Sequence, residues 1–286
     1  RLLIMQTVDR IEALRMLLKP WRRADLKIAF VPTMGNLHAG HLRLVEVARR
    51  HADKVVVSIF VNPTQFGPTE DFASYPRTEA DDSAKLSEVG ADLLFLPGVA
   101  EIYPRASLTT ISVAGLSTIH CGASRPGHFD GVALVVCKLL NMVQPDLLLL
   151  GEKDFQQLTL IRRMVADLNL PVAIQVVATE RDDDGLALSS RNGYLTAPQR
   201  ASAPELYRCL RAAGDAIQRG ERDFAGIEAA QSLRLTQAGF VVDYFTICRV
   251  ADLAPATSGD MDLVILAAAK LGNTRLIDNL VCRSNG

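Results

Sequence analysis

The chain has almost no excess of either charge: 31 basic and 32 acidic side chains leave a formal net charge of -1 at pH 7. Nothing in that balance draws it to nucleic acid or to an anionic membrane. Cysteine is scarce. Cys121, Cys137, Cys209, Cys248 and Cys282 are odd in number and widely spaced, with no CxxC pair. This argues against a disulfide framework and a zinc cluster, and suggests a reducing compartment. No apolar run reaches the roughly 18 residues of a membrane span, and no signal peptide is visible, so a soluble cytoplasmic protein without a membrane partner is expected. The chain opens on Arg1 instead of Met, which suggests residues missing before it. What it does have is apolar side chain. With 286 residues at 49% hydrophobic content, it can bury one large core or two unequal ones.

The rest of the chain is organised around residues 27–50, KIAFVPTMGNLHAGHLRLVEVARR. Ile28, Ala29, Phe30 and Val31 read as a buried strand that Pro32 ends. Thr33, Met34, Gly35 and Asn36 make a tight crossover. From Ala39, the spacing of Leu42, Val45 and Ala48 among charged residues has the period of an amphipathic helix. A strand, a glycine-containing turn and a helix place free backbone N–H groups against a phosphate. His38 and His41, three apart at the helix start, can point over the same anion site, and imidazole suits contact with oxygens whose charge grows during a reaction. A metal site is the competing reading, but no cysteine is near and Glu46 is the only carboxylate on that helix.

Taken in order, residues 8–18 suggest a first helix with Ile11, Leu14 and Leu18 on one face, packed on the sheet edge. Residues 54–61, KVVVSIFV, are too apolar for an exposed strand and suit one covered on both faces. Asn62, Pro63, Thr64, Gln65 and Phe66 then leave its carboxyl end, where open α/β sheets bind ligands; Gln65 offers a donor and an acceptor to a small polar acid. A helix over 79–88 and a strand over 92–96 follow. Residues 108–113 stand apart from the αβ rhythm as an excursion. Ser124, Arg125, Pro126, Gly127 and His128 form a turn before a helix over 132–142, with His128 read as a helix-start cap. Residues 145–150 give another central strand, handing over to Gly151, Glu152, Lys153 and Asp154; Lys153 there can reach phosphate as a mobile point charge. Asp154 and Gln157 are three apart and can share one helix face. Residues 172–177 add a further buried strand, for a sheet of at least five. In the loop 179–191, Gly185 permits a turn, and the hydroxyls of Ser189 and Ser190 beside Arg191 can hold a triphosphate without a glycine-rich P-loop. Beyond Pro198 the pattern is two helices (205–219 and 224–238) and three strands (241–247, 261–269 and 274–277). Thr196, Ala197 and Pro198 start the first helix of this smaller α+β unit.

Four segments in order, PTMGNLHAGH, SIFVNPTQF, GEKDFQQ and DGLALSSRNGYL, resemble the pantoate–beta-alanine ligases of the class I nucleotidyltransferase superfamily, whose signature is HxGH. The resemblance runs from Ile28 to Asn279. It implies an α/β fold: a Rossmann-like parallel-sheet domain over 1–185 that binds nucleotide and pantoate, then a smaller α+β lid over 186–286, with a dimerisation excursion near 105–120. It implies a homodimer. It implies ATP contacts from Met34, Gly35, Asn36, Leu37, His38, Ala39, Gly40 and His41, from Gly151, Glu152, Lys153 and Asp154, and from Glu180, Leu188, Ser189, Ser190 and Arg191. His41, His38, Lys153, Ser189, Ser190 and Arg191 are the catalytic set. Gln65, Gln157, Asn62 and Arg125 are the residues for pantoate and beta-alanine. Magnesium is expected to ride on the ATP phosphates without direct protein ligands. The SSR segment resembles the second signature of this superfamily. Two departures stand out: Glu180 occupies the place of a small apolar residue whose backbone faces adenine, and Ala178 replaces a proline.

The reaction so implied is activation of the pantoate carboxylate as an adenylate, followed by attack of the beta-alanine amine. An HxGH enzyme that stops at adenylyl transfer, or a non-catalytic nucleotide-binding module, would share the first motif. The paired Gln65 and Gln157 argue against the former. Intact His, Lys and Ser/Arg groups on three separate loops argue against the latter.

Overall fold

Strands covered on both faces must be apolar at nearly every position, and those of the first unit are rich in Val, Leu and Ile. The computed structural model describes residues 5–68 and 70–283. Strands β1 (Gln6–Val8), β2 (Ile28–Thr33), β3 (Lys54–Ile59), β4 (Leu93–Phe95), β5 (Leu147–Gly151) and β6 (Ala173–Val177) form one parallel sheet in the order β1-β4-β3-β2-β5-β6. β2 pairs with β3 from Ile28↔Lys54 to Thr33↔Ile59, and with β5 at Ala29↔Leu147 and Phe30↔Leu148. The helices are α1 (Ile11–Arg23), α2 (Ala39–His51), α3 (Glu79–Glu88), the single turns α4 (Val99–Ile102) and α5 (Cys121–Ser124), α6 (His128–Val143) and α7 (Phe155–Asp167). Winding runs outward from β2 through β3 to β4, then reverses from β5 to β6. The switch therefore lies between β2 and β5, where parallel sheets of this kind open a crevice at their carboxyl ends.

Several expectations are corrected here. Pro32 does not end β2. It pairs with Ser58 and the strand continues to Thr33, because proline's fixed φ is compatible with a strand and removes only one ladder donor. Residues 6–8 are an edge strand on β4, so the first helix starts at Ile11 and not at Val8. That helix packs against α6, with Leu14 and Leu18 buried. β6 is also an edge strand, with Val177 its only buried residue, so the reading of it as a buried strand fails.

By internal contacts the first unit is Arg1–Glu152 with Leu160–Ala178, and the second is Lys153–Thr159 with Thr179–Gly286. The opening of α7 thus groups with the second unit. That unit adds α8 (Ala197–Ser202), α9 (Glu205–Gln218) and α10 (Phe224–Gln237), together with an antiparallel sheet β7-β8-β9 of Phe240–Arg249, Asp262–Leu271 and Thr274–Arg283. Thr196 starts α8 with a capping box: Gln199 N–H donates to Thr196 Oγ1, and Thr196 N–H donates to Gln199 Oε1. The core of the unit joins Leu206, Leu210, Ala213 and Ile217 of α9 to Leu263, Ile265 and Ala267 of β8. β9 is longer than the expected 274–277 because it pairs with β8 along its whole length, to Asp262↔Arg283.

Candidate active site

The turn leaving β2 is held from behind. Gly35 (φ +85°) and Asn36 (φ +51°) are both left-handed, a conformation costly for most residues but open to glycine and tolerated by asparagine. Asp82 of α3, fully buried, accepts the main-chain N–H of Asn36 and of Leu37, each at 2.8 Å, and the Thr78 hydroxyl at 3.1 Å. Lys85, one turn on, donates to Leu37 O at 3.0 Å. A Cβ on Gly35 would stand 3.0 Å from Ile59 Cγ2 and 3.2 Å from Asp82 Oδ2. Nothing in the sequence had singled out Asp82, since acidic residues in the first turns of a helix are ordinary.

Held this way, the turn delivers His38 as the N-cap of α2 and His41 one turn in. Gly40 N–H donates to His38 Nδ1 (3.2 Å), and His38 N–H donates to His41 Nδ1 (3.3 Å), a capping box made of two imidazoles. Their ring centroids are 4.1 Å apart. An Nδ1 that accepts carries no proton, so each ring carries its hydrogen on Nε2, leaving Nε2–H as a donor. With the dipole of α2 behind them, two N–H donors stand at a helix N-terminus suited to an anion.

The turn leaving β3 is a 3₁₀ turn, Pro63–Gln65, capped by Asn62. Asn62 is buried and its amide is saturated. It donates to Gln65 Oε1 (3.0 Å) and Gly131 O (3.2 Å), and accepts from Thr64 Oγ1 and Tyr103 Oη (both 3.0 Å). Burial pushes the Tyr103 phenol up, against the opposing hydrogen bond from Thr64, which keeps the hydroxyl a proton donor. Gln65 directs its Nε2 to Met34 Sδ at 3.2 Å. Sulfur is a weak acceptor, so a ligand oxygen can replace it at little cost. Gly131 of α6 lets helix and turn approach: a Cβ there would stand 2.8 Å from Gln65 N and closer still to Thr64 O. A glycine inside a helical pattern was the available sign of such a contact.

Arg125 grips Glu70 through Nε and Nη2 at 2.6 Å each, and Nη2 also reaches Gln65 O at 3.4 Å. Glu70 lies below the usual carboxylate range: burial opposes this, but the hydrogen bonds and charge of Arg125 outweigh it. His128 is not the helix cap expected of it. Gly127 occupies that position, and His128 Nδ1 is 2.8 Å from Gln65 O. The left-handed Gly127 (φ +80°) starts the helix with no side-chain cap.

Of the remaining candidates, Gly151 ends β5 and Glu152 follows it in the first unit, while Lys153, Asp154 and Gln157 belong to the second. In that unit residues 180–188 fold back as a hairpin. Leu188 N–H donates to Glu180 O (2.9 Å), Arg181 bridges to Ala187, and Gly185 turns at φ +94°. The Glu180 carbonyl is therefore used within the hairpin. Ser189 caps the 3₁₀ turn Ser190–Tyr194, its Oγ accepting from Arg191 N–H at 3.3 Å. Lys153 O accepts from Asn279 Nδ2 at 2.8 Å. Burial pushes the thiols of Cys209, Cys248 and Cys282 up to about 11, so none of the three is a nucleophile at neutral pH.

A profile described as Pantoate-beta-alanine ligase matches residues 6–281. The chain is 56% identical over 280 residues to a pantothenate synthetase of Methylococcus capsulatus, covering 97% of each. It is 58% identical over 278 residues to one of Pseudomonas paraeruginosa, covering 96% of this chain and 98% of that one. The crystal structure of pantothenate synthetase from Thermus thermophilus superposes with a TM-score of 0.89 at 46% identity, over 96% of this chain and 99% of that one. A pantoate-beta-alanine ligase from Francisella tularensis, complexed with beta-gamma ATP and beta-alanine, superposes with a TM-score of 0.83 at 36% identity, covering 97% of each chain.

Proposed function

The chain belongs to the pantoate–beta-alanine ligase family, and from that premise we propose how its own residues carry the ATP-dependent joining of pantoate to beta-alanine. A pantoate carboxylate oxygen attacks the α-phosphorus of ATP. A P–O bond forms to give pantoyl adenylate, and the bond to the β-phosphate oxygen breaks, releasing pyrophosphate. The amine of beta-alanine then attacks the acyl carbon, forming the C–N bond and losing a proton as AMP departs. No protein nucleophile takes part.

The observation that carries this reading is the imidazole pair at the start of α2, with both Nδ1 atoms occupied by main-chain N–H groups. An accepting Nδ1 puts the hydrogen of each ring on Nε2, and donors fixed in advance stabilise charge that develops in the transition state. Asn36, Leu37, Ala39 and Gly40 contribute the backbone of the same turn. Lys153, Ser189, Ser190 and Arg191 supply charge and hydroxyls to the triphosphate, with Gly151, Glu152, Asp154, Glu180 and Leu188 lining the nucleotide. Gln65 and Gln157 hydrogen-bond pantoate; Asn62 and Arg125 act by holding Gln65, through its side chain and its carbonyl respectively. Magnesium, when bound with ATP, would neutralise charge on the phosphates.

We also propose that the chain acts as a homodimer through the excursion near 105–120, where Leu108 is 99% exposed; a monomeric mass in analytical ultracentrifugation at micromolar concentration would reject this. The two-step order is tested by isotope exchange. Labelled pyrophosphate should enter ATP in the presence of pantoate and magnesium without beta-alanine. A strict requirement for beta-alanine, with no enzyme-bound adenylate on rapid quench, would overturn the mechanism.

A further inference from the structure

The second unit buries an ion pair to which the reaction assigns no part. Arg181 Nη1 and Nη2 donate to Asp278 Oδ2 and Oδ1 at 2.6 and 2.9 Å, and the guanidinium lies 3.7 Å over the Tyr207 ring. The Asp278 side chain is 3% exposed. Desolvation pushes its carboxyl up, and the Arg181 fork pulls it back toward the ionised form. A buried pair of this kind adds little net stability over well-packed apolar residues, because desolvating two charges costs about what their attraction returns. What it does supply is geometry.

The geometry reaches two candidate ATP-binding segments. Arg181 stands at the base of the 180–188 hairpin and also donates through Nη1 to Gly185 O at 3.2 Å, fixing the hairpin that leads directly into Ser189, Ser190 and Arg191. Gly185 cannot carry a side chain there, since a Cβ would stand 2.7 Å from Tyr207 Cδ1. On the other side of the pair, Asp278 Oδ1 accepts the main-chain N–H of Asn279 at 2.8 Å. Asn279, itself buried, donates its Nδ2 to Lys153 O at 2.8 Å. Lys153 lies in the 3₁₀ turn Glu152–Asp154 and the Ser189 segment follows the hairpin, so no shared secondary structure aligns them.

We propose that Arg181, Asp278 and Asn279 are positioning residues that hold Lys153 and the 189–191 segment in one register, so that ammonium, hydroxyls and guanidinium meet the triphosphate together. This rests on the assignment of Lys153 and the serines to ATP given above. Side chains supporting a site matter because a misplacement of about 1 Å can cost on the order of 100-fold in rate.

The test is a double-mutant cycle in single-turnover pantoyl-adenylate formation at saturating ATP and pantoate, with thermal unfolding measured beside it. Asn279→Ala should slow adenylate formation by about 10- to 100-fold while leaving pantoate affinity unchanged. In a Lys153→Ala background the same substitution should add little, because the group it positions is gone. Additive losses would overturn the positioning role. So would a lowered melting temperature with a wild-type rate, which would make Asn279 a packing residue. A wild-type rate in Lys153→Ala alone would remove Lys153 from the reaction, and this inference with it. Asn279→Ser, which keeps a small polar side chain too short for the Lys153 contact, takes the same place in the cycle if the alanine variant does not fold.

Discussion

Replacing Asp82 by alanine tests whether the phosphate turn is held by this one carboxylate. Two main-chain donors lose their acceptor. Leu37 is buried, so its N–H would be stranded away from water, which costs about 1–3 kcal/mol; Asn36 is half-buried, and losing its bond costs about 0.5–1.5 kcal/mol. With Thr78 re-solvated at small cost, the loss sums to about 1.5–4.5 kcal/mol, well above the effect of an ordinary surface substitution. Part of it returns as the turn relaxes, and that relaxation is itself informative. Gly35 and Asn36 occupy left-handed conformations that the carboxylate holds in place, and their release would move His38 off its capping position. Asp82→Asn is the sharper variant: it preserves shape but turns an NH₂ group toward one of the two N–H donors, so most of the loss should persist. Urea unfolding, followed beside pyrophosphate exchange, should show a lower midpoint and a rate reduced by about 10- to 100-fold. An alanine variant that unfolds at the wild-type midpoint and exchanges pyrophosphate at the wild-type rate would refute the reasoning.

Gly131→Ala should push α6 away from the 63–65 turn and tilt Gln65, weakening pantoate binding about 5- to 150-fold in calorimetric titration with ATP affinity nearly unchanged, on the view that a hydrogen bond lost in a buried site costs about 1–3 kcal/mol. His41→Ala should slow adenylate formation by about 100-fold or more, as for loss of one preorganised donor, while stability falls only by the roughly 0.5–2 kcal/mol of a lost helix-start cap, because Leu44, Val45 and Ala48 supply the buried face of α2; a normal rate in a destabilised protein would make it a packing residue. Glu70 has a folded-state pKa below its unfolded value, so its ion pair with Arg125 stabilises the protein fully above the ordinary glutamate pKa of about 4.3 and loses that contribution as pH falls through the lower folded value. The stability difference between wild type and Glu70→Gln, from urea unfolding between about pH 3 and 6, should therefore shrink toward the acid end; a pH-independent difference would show that the charge does not matter.

Local pattern alone determined a good deal of this protein. The runs at 28–31, 55–57 and 147–150 are apolar without alternation, which specifies strands covered on both faces and hence a parallel sheet with helices on each side. The HxGH spacing put both histidines at a helix start, and α2 does begin at Ala39 with His38 as its cap. Three strand segments and the two longer helices of the second unit were legible too, but not the full length of β9 or the antiparallel pairing of the strands. Tertiary structure decided the remainder. Whether β6 is buried depends on which strand lies beyond it, and among the described residues none does, a fact no local period encodes. The proton placement on His38 and His41 came from backbone donors two and three residues away in chain, but only once the turn had closed on Asp82, 45 residues from Leu37. Asp82, Gly131, Glu70 and Asn279 have ordinary local sequences, because what they do is accept from, admit or anchor a segment far off in the chain. A carboxylate in the first turns of a helix looks the same whether it faces water or two stranded N–H groups, and only the packing of α3 behind the β2 turn separates the two.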